Sequence, residues 1–551
     1  MRSLRSHPHL LGWAIIVFCG LAAAAVEQHY VGYNESSHWF QVRAFGDGTP
    51  IINRWAFLTG DKALFMGNYY SDKAPGLGLF VLPLYKLIQA VGAPTLFGLG
   101  TLHLLVLMGC TLPFVVILGI VFLTVERGDP GMGAPVVATL GIGTILLPFA
   151  TLFFSHVFSA CLGFAAYSLV DREHKRRAEH GDGLYALAGA GVLCGYALST
   201  EYPLALLTGL LAIYIAWKPI RIRALVVFGI GCFIGLLPLF GYNWWAFGSP
   251  LHLSYESVAA NSGGVLGMTG PSVAGAVRLL FANRGFFVVM PVFGAVLAGI
   301  VILWREGRRW DALIPAAVLL VYYVYDFSYY LPFGGAVPGA RFMLCTIPFW
   351  CVPLAAVYRK LPLTTLLMAI VGIATMVVST ITLCLLAINV PNRVWWLQLE
   401  HGVFTNFNEP ELTVFYFFAI AVVCLGLLFS LRHFRPSRRD VLIAIAAVIG
   451  FTVIQRTGPV LLPGYKLTAP HWALFMFMAL TVTLVGQMWS IAKRENRLAL
   501  LAGVPLLGMC AHRFDHAGPM FAFIAIAIGW LIALEWWSRR RPGLPAAVVV
   551  S

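Results

Sequence analysis

Long apolar runs, each closed by a cluster of Lys and Arg, constrain this chain more than any other feature. Stretches 97–125, 224–242 and 413–431 contain no Asp, Glu, Lys or Arg. About 20 such residues cross the hydrocarbon core of a bilayer as a helix. Of the 551 residues, 60% are hydrophobic and only 11% are charged, whereas a soluble domain carries about 25% charged residues. This excludes a cytosolic enzyme, a disordered chain, a disulfide scaffold and a DNA-binding domain. An outer-membrane barrel is excluded too, because its strands alternate apolar and polar residues over about ten positions. The fold class is all-α, a polytopic transmembrane bundle of about 16 helices at this span length.

The net charge of +14 is read by position. Basic residues collect at Arg2/Arg5, 172–177, 218–223, 305–309, 359–360, 432–439, 493–497 and 539–541. Such clusters mark cytoplasmic loops, so the excess charge orients the chain and implies no nucleic-acid partner. The run after Arg5 reads as an uncleaved first helix, and both termini fall in the cytoplasm. Segments 27–76, 248–283, 326–340, 391–412 and 457–470 become external loops. Between Gly76 outside and Arg172 inside, an odd number of crossings is needed. Four apolar segments lie there (77–93, 97–125, 133–150 and 153–171), so one of them fails to cross independently. The 10 cysteines lie inside apolar runs without CxxC spacing, which suits packing and not a metal cluster or disulfide framework. His512 and His516 share HxxxH spacing in a short loop, without the carboxylate pattern of a metal site.

The first external loop, 27–76, carries the strongest signal. HWFQVRAFGDG predicts a short interfacial helix with aromatics toward lipid and Arg43 toward phosphates, stopped by Asp47-Gly48 and Pro50. Two Asp-Lys pairs follow, Asp61-Lys62 and Asp72-Lys73. Lys73 precedes Ala74-Pro75-Gly76 at the mouth of the next helix. Pro75 is pre-organised for a helix start, and a cation beside free helix N–H groups suits a lipid-linked phosphate.

Asn34-Glu35 after a first helix, the interfacial helix, and Tyr70 followed by Lys73-Ala74-Pro75 together resemble the GT-C membrane glycosyltransferases. Within that superfamily the resemblance is to the bacterial aminoarabinose transferases and the protein O-mannosyltransferases. There the loop opens with Asp-Glu and closes with Lys-Pro-Pro; here Asn34 and Ala74 depart from the pattern. Pro338 to Phe349 resembles a Gly-Pro-Arg-Tyr element of bacterial members. The resemblance implies a GT-C-like catalytic module over 1–358, including the loop, followed by C-terminal helices over 359–551 without a separate soluble domain.

It also implies a polyprenyl-phosphate sugar donor and a glycan, lipid or protein acceptor. Transfer would invert the anomeric centre, with a carboxylate base, on the external face of a bacterial inner membrane. Glu35, Asp72 and Asp61 are the implied catalytic acids. Lys73, Lys62, His38, Tyr70, Arg341, Arg284 and His156 are the implied substrate-binding residues. Glu201, at an external helix junction, is a further acid or a helix-end cap. No cofactor is indicated, although a divalent metal is compatible. The rival readings are a polytopic transporter and a lipid-linked glycan flippase or ligase. A transporter would place ionisable groups near the midplane and show inverted repeats; here the acids gather at helix ends.

Overall fold

The computed structural model describes residues 8–28, 31–92, 95–96, 99–180, 183–217, 221–258, 267–282, 284–335, 337–381 and 410–461. The HRFDH segment at 512–516, most of loop 391–412 and loop 457–470, and most of the C-terminal third lie outside these residues. What is described is helical apart from small hairpins. Five helices are long and apolar enough to cross a membrane: Thr101–Gly128, Ile222–Phe247, Arg309–Ser328, Arg341–Lys360 and Pro362–Ile381. With the composition, they make this a multi-pass membrane protein.

Charge divides the bundle into two ends. At one end Arg308 binds Asp129 and Asp311 at 2.8 Å each. Arg359 binds Asp129 at 2.8 Å and Glu306 at 2.9 Å, and Lys175 binds Asp171 at 2.9 Å. At the other end stand Asp326, Arg341, Lys73 and Glu201. Helix Arg309–Ser328 has 20 residues, about 30 Å at 1.5 Å per residue. It separates the basic end from the second group by the thickness of a bilayer core.

The two ends resolve the crossing count. Helix α1 (Pro8–Ala24) starts beside Phe122, with Trp13 and Phe122 rings 5.4 Å apart. It finishes where the Ala24 carbonyl lies 3.1 Å from His103 Nε2. Thr101–Gly128 therefore begins at the Lys73 end and reaches Asp129 at the basic end. Helix α3 (Gly76–Val91) leaves from Lys73 and lies along α2 (Tyr33–Gly46). Its Tyr85 ring packs 5.6 Å from Trp39, and Lys86 bonds the Gly46 carbonyl. A small hairpin returns the chain to Thr101. Thus α3 begins and ends on one side, and 77–93 is the run that does not cross. Segment 133–150 does traverse, broken into Gly133–Ile142 and Leu146–Ala150. Three crossings remain between Gly76 and Arg172, an odd number.

Helices Leu184–Thr200 and Ile222–Phe247 show how the bundle closes. A Cβ on Gly191 would lie 2.1 Å from the Phe228 carbonyl oxygen, and one on Gly195 would lie 2.0 Å from that of Cys232. Gly231 and Gly235 face back, at 2.2 Å each from the Ala188 and Val192 carbonyls. Small residues four apart on both helices let the backbones touch, which replaces the hydrophobic drive that lipid does not supply. Ser199 Oγ then donates within reach of the Gly195 and Gly235 carbonyls, 3.1 Å from each.

Candidate active site

The site begins with a hairpin that the sequence pattern did not announce. Strands β1 (Lys62–Phe65) and β2 (Asn68–Ser71) pair antiparallel, with Lys62 opposite Ser71. The turn is Met66-Gly67, with φ of 46° and 78°, the left-handed pair that a two-residue hairpin requires. That register sets Asp61 and Asp72 side by side just past the open end. The two Asp-Lys repeats, a dozen residues apart in sequence, therefore converge. Lys73 Nζ binds Asp61 Oδ2 at 2.8 Å and Asp72 Oδ2 at 3.0 Å.

Helix α2 supplies the opposite wall. It starts earlier than the pattern suggested and carries Asn34, Glu35, Ser37, His38 and Gln41, all buried. Ser37 Oγ donates to Asp72 Oδ1 at 3.0 Å, and Gln41 Nε2 to the Lys73 carbonyl at 3.0 Å. With its amide oxygen toward the cations, Asn34 accepts from Lys73 Nζ at 3.0 Å and from Arg341 Nη1 at 3.1 Å. The expected lipid-facing aromatics of this helix turn inward instead. Phe40 stacks on Trp55 at 5.9 Å, and Phe45 meets Tyr242 at 5.6 Å. Arg43 lies 4.5 Å over Trp55. Apolar periodicity marks a face to be covered; here the loop's own residues cover it in place of lipid.

The structure gathers Glu35, Asp61, Asp72, Lys73, Arg341, His38 and His156 at one end. It sets Lys62, Tyr70 and Arg284 apart. Lys62 Nζ donates to the Ala56 carbonyl at 2.5 Å and lies 4.9 Å over Tyr69. The Tyr70 ring is buried 5.0 Å from Phe247. Arg284 donates to the Gly335 and Val337 carbonyls at 2.5 and 3.1 Å, bracing the loop that leads to Arg341.

Burial and charge tune the acids differently. Glu35 is 2% exposed. Burial outweighs its own backbone hydrogen bond and the nearby Arg341 and Lys73 charges, and raises its pKa to about 7. Gln28 Nε2 donates to its Oε1 at 3.1 Å. Burial also pushes Asp72 up. For Asp61 burial opposes ionisation, but the Lys73 charge and hydrogen bond prevail and hold it below the usual carboxylate range. Lys73 is buried, yet its two carboxylates keep its pKa raised.

Arg341 is less well answered. It lies at the entrance of the Arg341–Trp350 segment, 5.0 Å over Phe342. Among the described residues no carboxylate lies within ion-pair distance of it, and its Nε has no hydrogen-bond partner. Asp326, fully buried with both carboxylate oxygens unpartnered, has Arg341 as its countercharge beyond that distance.

A second network continues from α2. His38 Nε2 lies 3.2 Å from Ser155 Oγ, Ser155 donates to Glu201 Oε1, and His156 Nδ1 binds that same oxygen at 2.7 Å. Burial alone would raise Glu201, but His156 and Ser155 bring it down to about 2, while burial lowers His38 to about 3. A small recess, with room for about one water molecule, is bordered by His156, Glu201, Tyr322, Arg341, Phe342 and Cys345. Ser37, Ser155 and Asp326 escaped the sequence reading, because a lone Ser or a single Asp within an apolar helix carries no local signal.

No known protein family matches the chain's sequence, and no curated protein matches it. Among solved structures it is similar to the crystal structure of ArnT from Cupriavidus metallidurans bound to undecaprenyl phosphate. Identity is 13% and the TM-score 0.45, over 90% of this chain and 77% of that one. Function therefore rests on the chemistry of the site itself.

Proposed function

We propose that this protein is a membrane glycosyltransferase that moves a sugar from a polyprenyl-phosphate donor to an acceptor hydroxyl at the Lys73 end of the bundle. The observation that carries this reading is the pair Lys73 and Arg341, which meet on the Asn34 amide oxygen at 3.0 and 3.1 Å. An oxygen shared by a buried ammonium and a guanidinium marks where a phosphate oxygen would be welcome. Lys73 is already paired with Asp61 and Asp72, so Arg341 supplies the uncommitted charge.

In this reading the acceptor oxygen attacks the anomeric carbon and the carbon–phosphate oxygen bond breaks. The electron pair leaves on phosphate, where the two cations stabilise the growing charge. The acceptor's proton passes to a basic group of the site, for which Glu35 is the leading loop acid. The site lies on the external face if the basic end faces the cytoplasm, and a bacterial inner membrane fits that orientation. The acids of the described bundle stand at its two ends, those of the site around Lys73 and His156, which favours this reading over a transporter.

The test is release of polyprenyl phosphate from a polyprenyl-phosphate sugar by purified protein in nanodiscs. Lys73→Ala and Arg341→Ala are each expected to lower turnover about 10²–10³-fold, the usual effect of removing one charge-stabilising donor. Wild-type turnover in both variants, or substrate flux into vesicles without release of polyprenyl phosphate, overturns the reading.

A further inference from the structure

We propose, resting on the glycosyl-transfer reading above, that the acceptor's proton is taken by His156 Nε2, with Glu201 as the positioning residue that aims the imidazole. Three observations converge. His156 Nδ1 is fixed on Glu201 Oε1 at 2.7 Å. A carboxylate oxygen can only accept, so Nδ1 carries a proton, and in the neutral imidazole Nε2 keeps its lone pair. Nε2 is buried and has no hydrogen-bond partner, and the residue borders the recess together with Arg341.

The surroundings hold this arrangement. The imidazole is walled by Phe149, Phe154 and Phe342, with ring centroids at 5.8, 5.7 and 5.9 Å. Ser155 donates to the same Glu201 oxygen, which fixes the carboxylate in turn. The loop acids offer no equal. Asp61 and Asp72 are bonded to Lys73 Nζ, and Glu35 Oε1 accepts from Gln28. Geometry comes before basicity in choosing a general base, and geometry favours the free imidazole nitrogen. Arg341 touches both halves of the site, facing Lys73 across Asn34 and the recess beside His156. Phosphate and acceptor would thus lie on its two sides.

The step balances. The acceptor O–H bond breaks and its proton goes to Nε2. The acceptor oxygen forms a bond to the anomeric carbon. The bond from that carbon to the phosphate oxygen breaks, and its electron pair departs with polyprenyl phosphate. The imidazolium then returns its proton to water.

The test uses full-length protein in nanodiscs with a polyprenyl-phosphate sugar. Binding of polyprenyl phosphate alone is measured beside turnover. His156→Gly is expected to lower kcat at least about a hundredfold, within the range for a general base, with polyprenyl phosphate binding within twofold of wild type. Added imidazole should restore part of that turnover, which a structural defect would not allow. Glu201→Gln should lower kcat with KM unchanged, and Glu201→Asp should recover part of the loss. A His156→Gly variant within threefold of wild-type kcat, or a loss that imidazole fails to relieve, overturns the base assignment and leaves the transfer reading standing. Wild-type protein that neither binds polyprenyl phosphate nor releases it overturns both.

Discussion

Asn34 is where a single atom decides the chemistry. An aspartate there would form ion pairs with both Lys73 and Arg341. The amide fills the same space, accepts from both at 3.0 and 3.1 Å, and leaves Arg341 without a carboxylate. The departure from the Asp-Glu pattern thus becomes a gain of positive charge where a phosphate would sit. Glu35, next along, is testable by linkage. Its pKa rises from 4.5 to about 7 in the fold, so between those values the folded state holds the proton that the unfolded chain releases. Stability contributed by this group is greatest below about 4.5 and is lost as pH rises toward 7. Glu35→Gln removes that dependence. Thermal midpoints from pH 4.5 to 7.5 should therefore fall for wild type relative to Glu35→Gln as pH increases. Parallel curves would show that Glu35 is an ordinary carboxylate.

The hairpin is the element that assembles the loop acids. Its register brings Asp61 and Asp72 to one lysine, and its turn requires two left-handed residues. Gly67 meets that requirement at φ 78°, while Met66 tolerates φ 46° at a cost. Gly67→Val is expected to destabilise by about 1–2 kcal/mol, and Met66→Asn to raise the thermal midpoint, since Asn-Gly is the preferred pair. Melting curves of the two variants settle it; equal midpoints would mean that the turn is slack.

Much at this scale was legible beforehand. The start of α3 at Pro75-Gly76 and the place of Lys73 at its mouth came from local chemistry that reads directly in sequence. The hairpin did not, because Met-Gly is a weak turn signal and the strands have only four residues each. The burial of α2 was invisible because an apolar stripe is indifferent to whether lipid or protein covers it. The pairing of His156 with Glu201 joins residues 45 positions apart, beyond any local pattern.

At the scale of the whole molecule, two charged ends about 30 Å apart, the length of a 20-residue helix, organise everything else. The basic end joins distant segments through Asp129, which is 5% exposed and binds both Arg308 and Arg359. Asp129→Ala should lower stability by about 1–3 kcal/mol, the usual effect of leaving charged hydrogen-bond partners unmet. Turnover per folded molecule should be unchanged, because the site is a bilayer's thickness away. A thermal melt paired with an activity assay checks both parts, and an unchanged midpoint would deny the basic end its role as a clasp. The opposite end carries the central claim, that Lys73 and Arg341 together hold a lipid-linked phosphate. The most direct measurement is a cryo-electron microscopy map of the protein in nanodiscs with polyprenyl phosphate. The account predicts phosphate density beside Asn34, its oxygens about 2.7–2.9 Å from Lys73 Nζ and the Arg341 guanidinium, as charge-assisted bonds require. Phosphate density only at the basic end, or none beside these residues at saturating lipid, would contradict it.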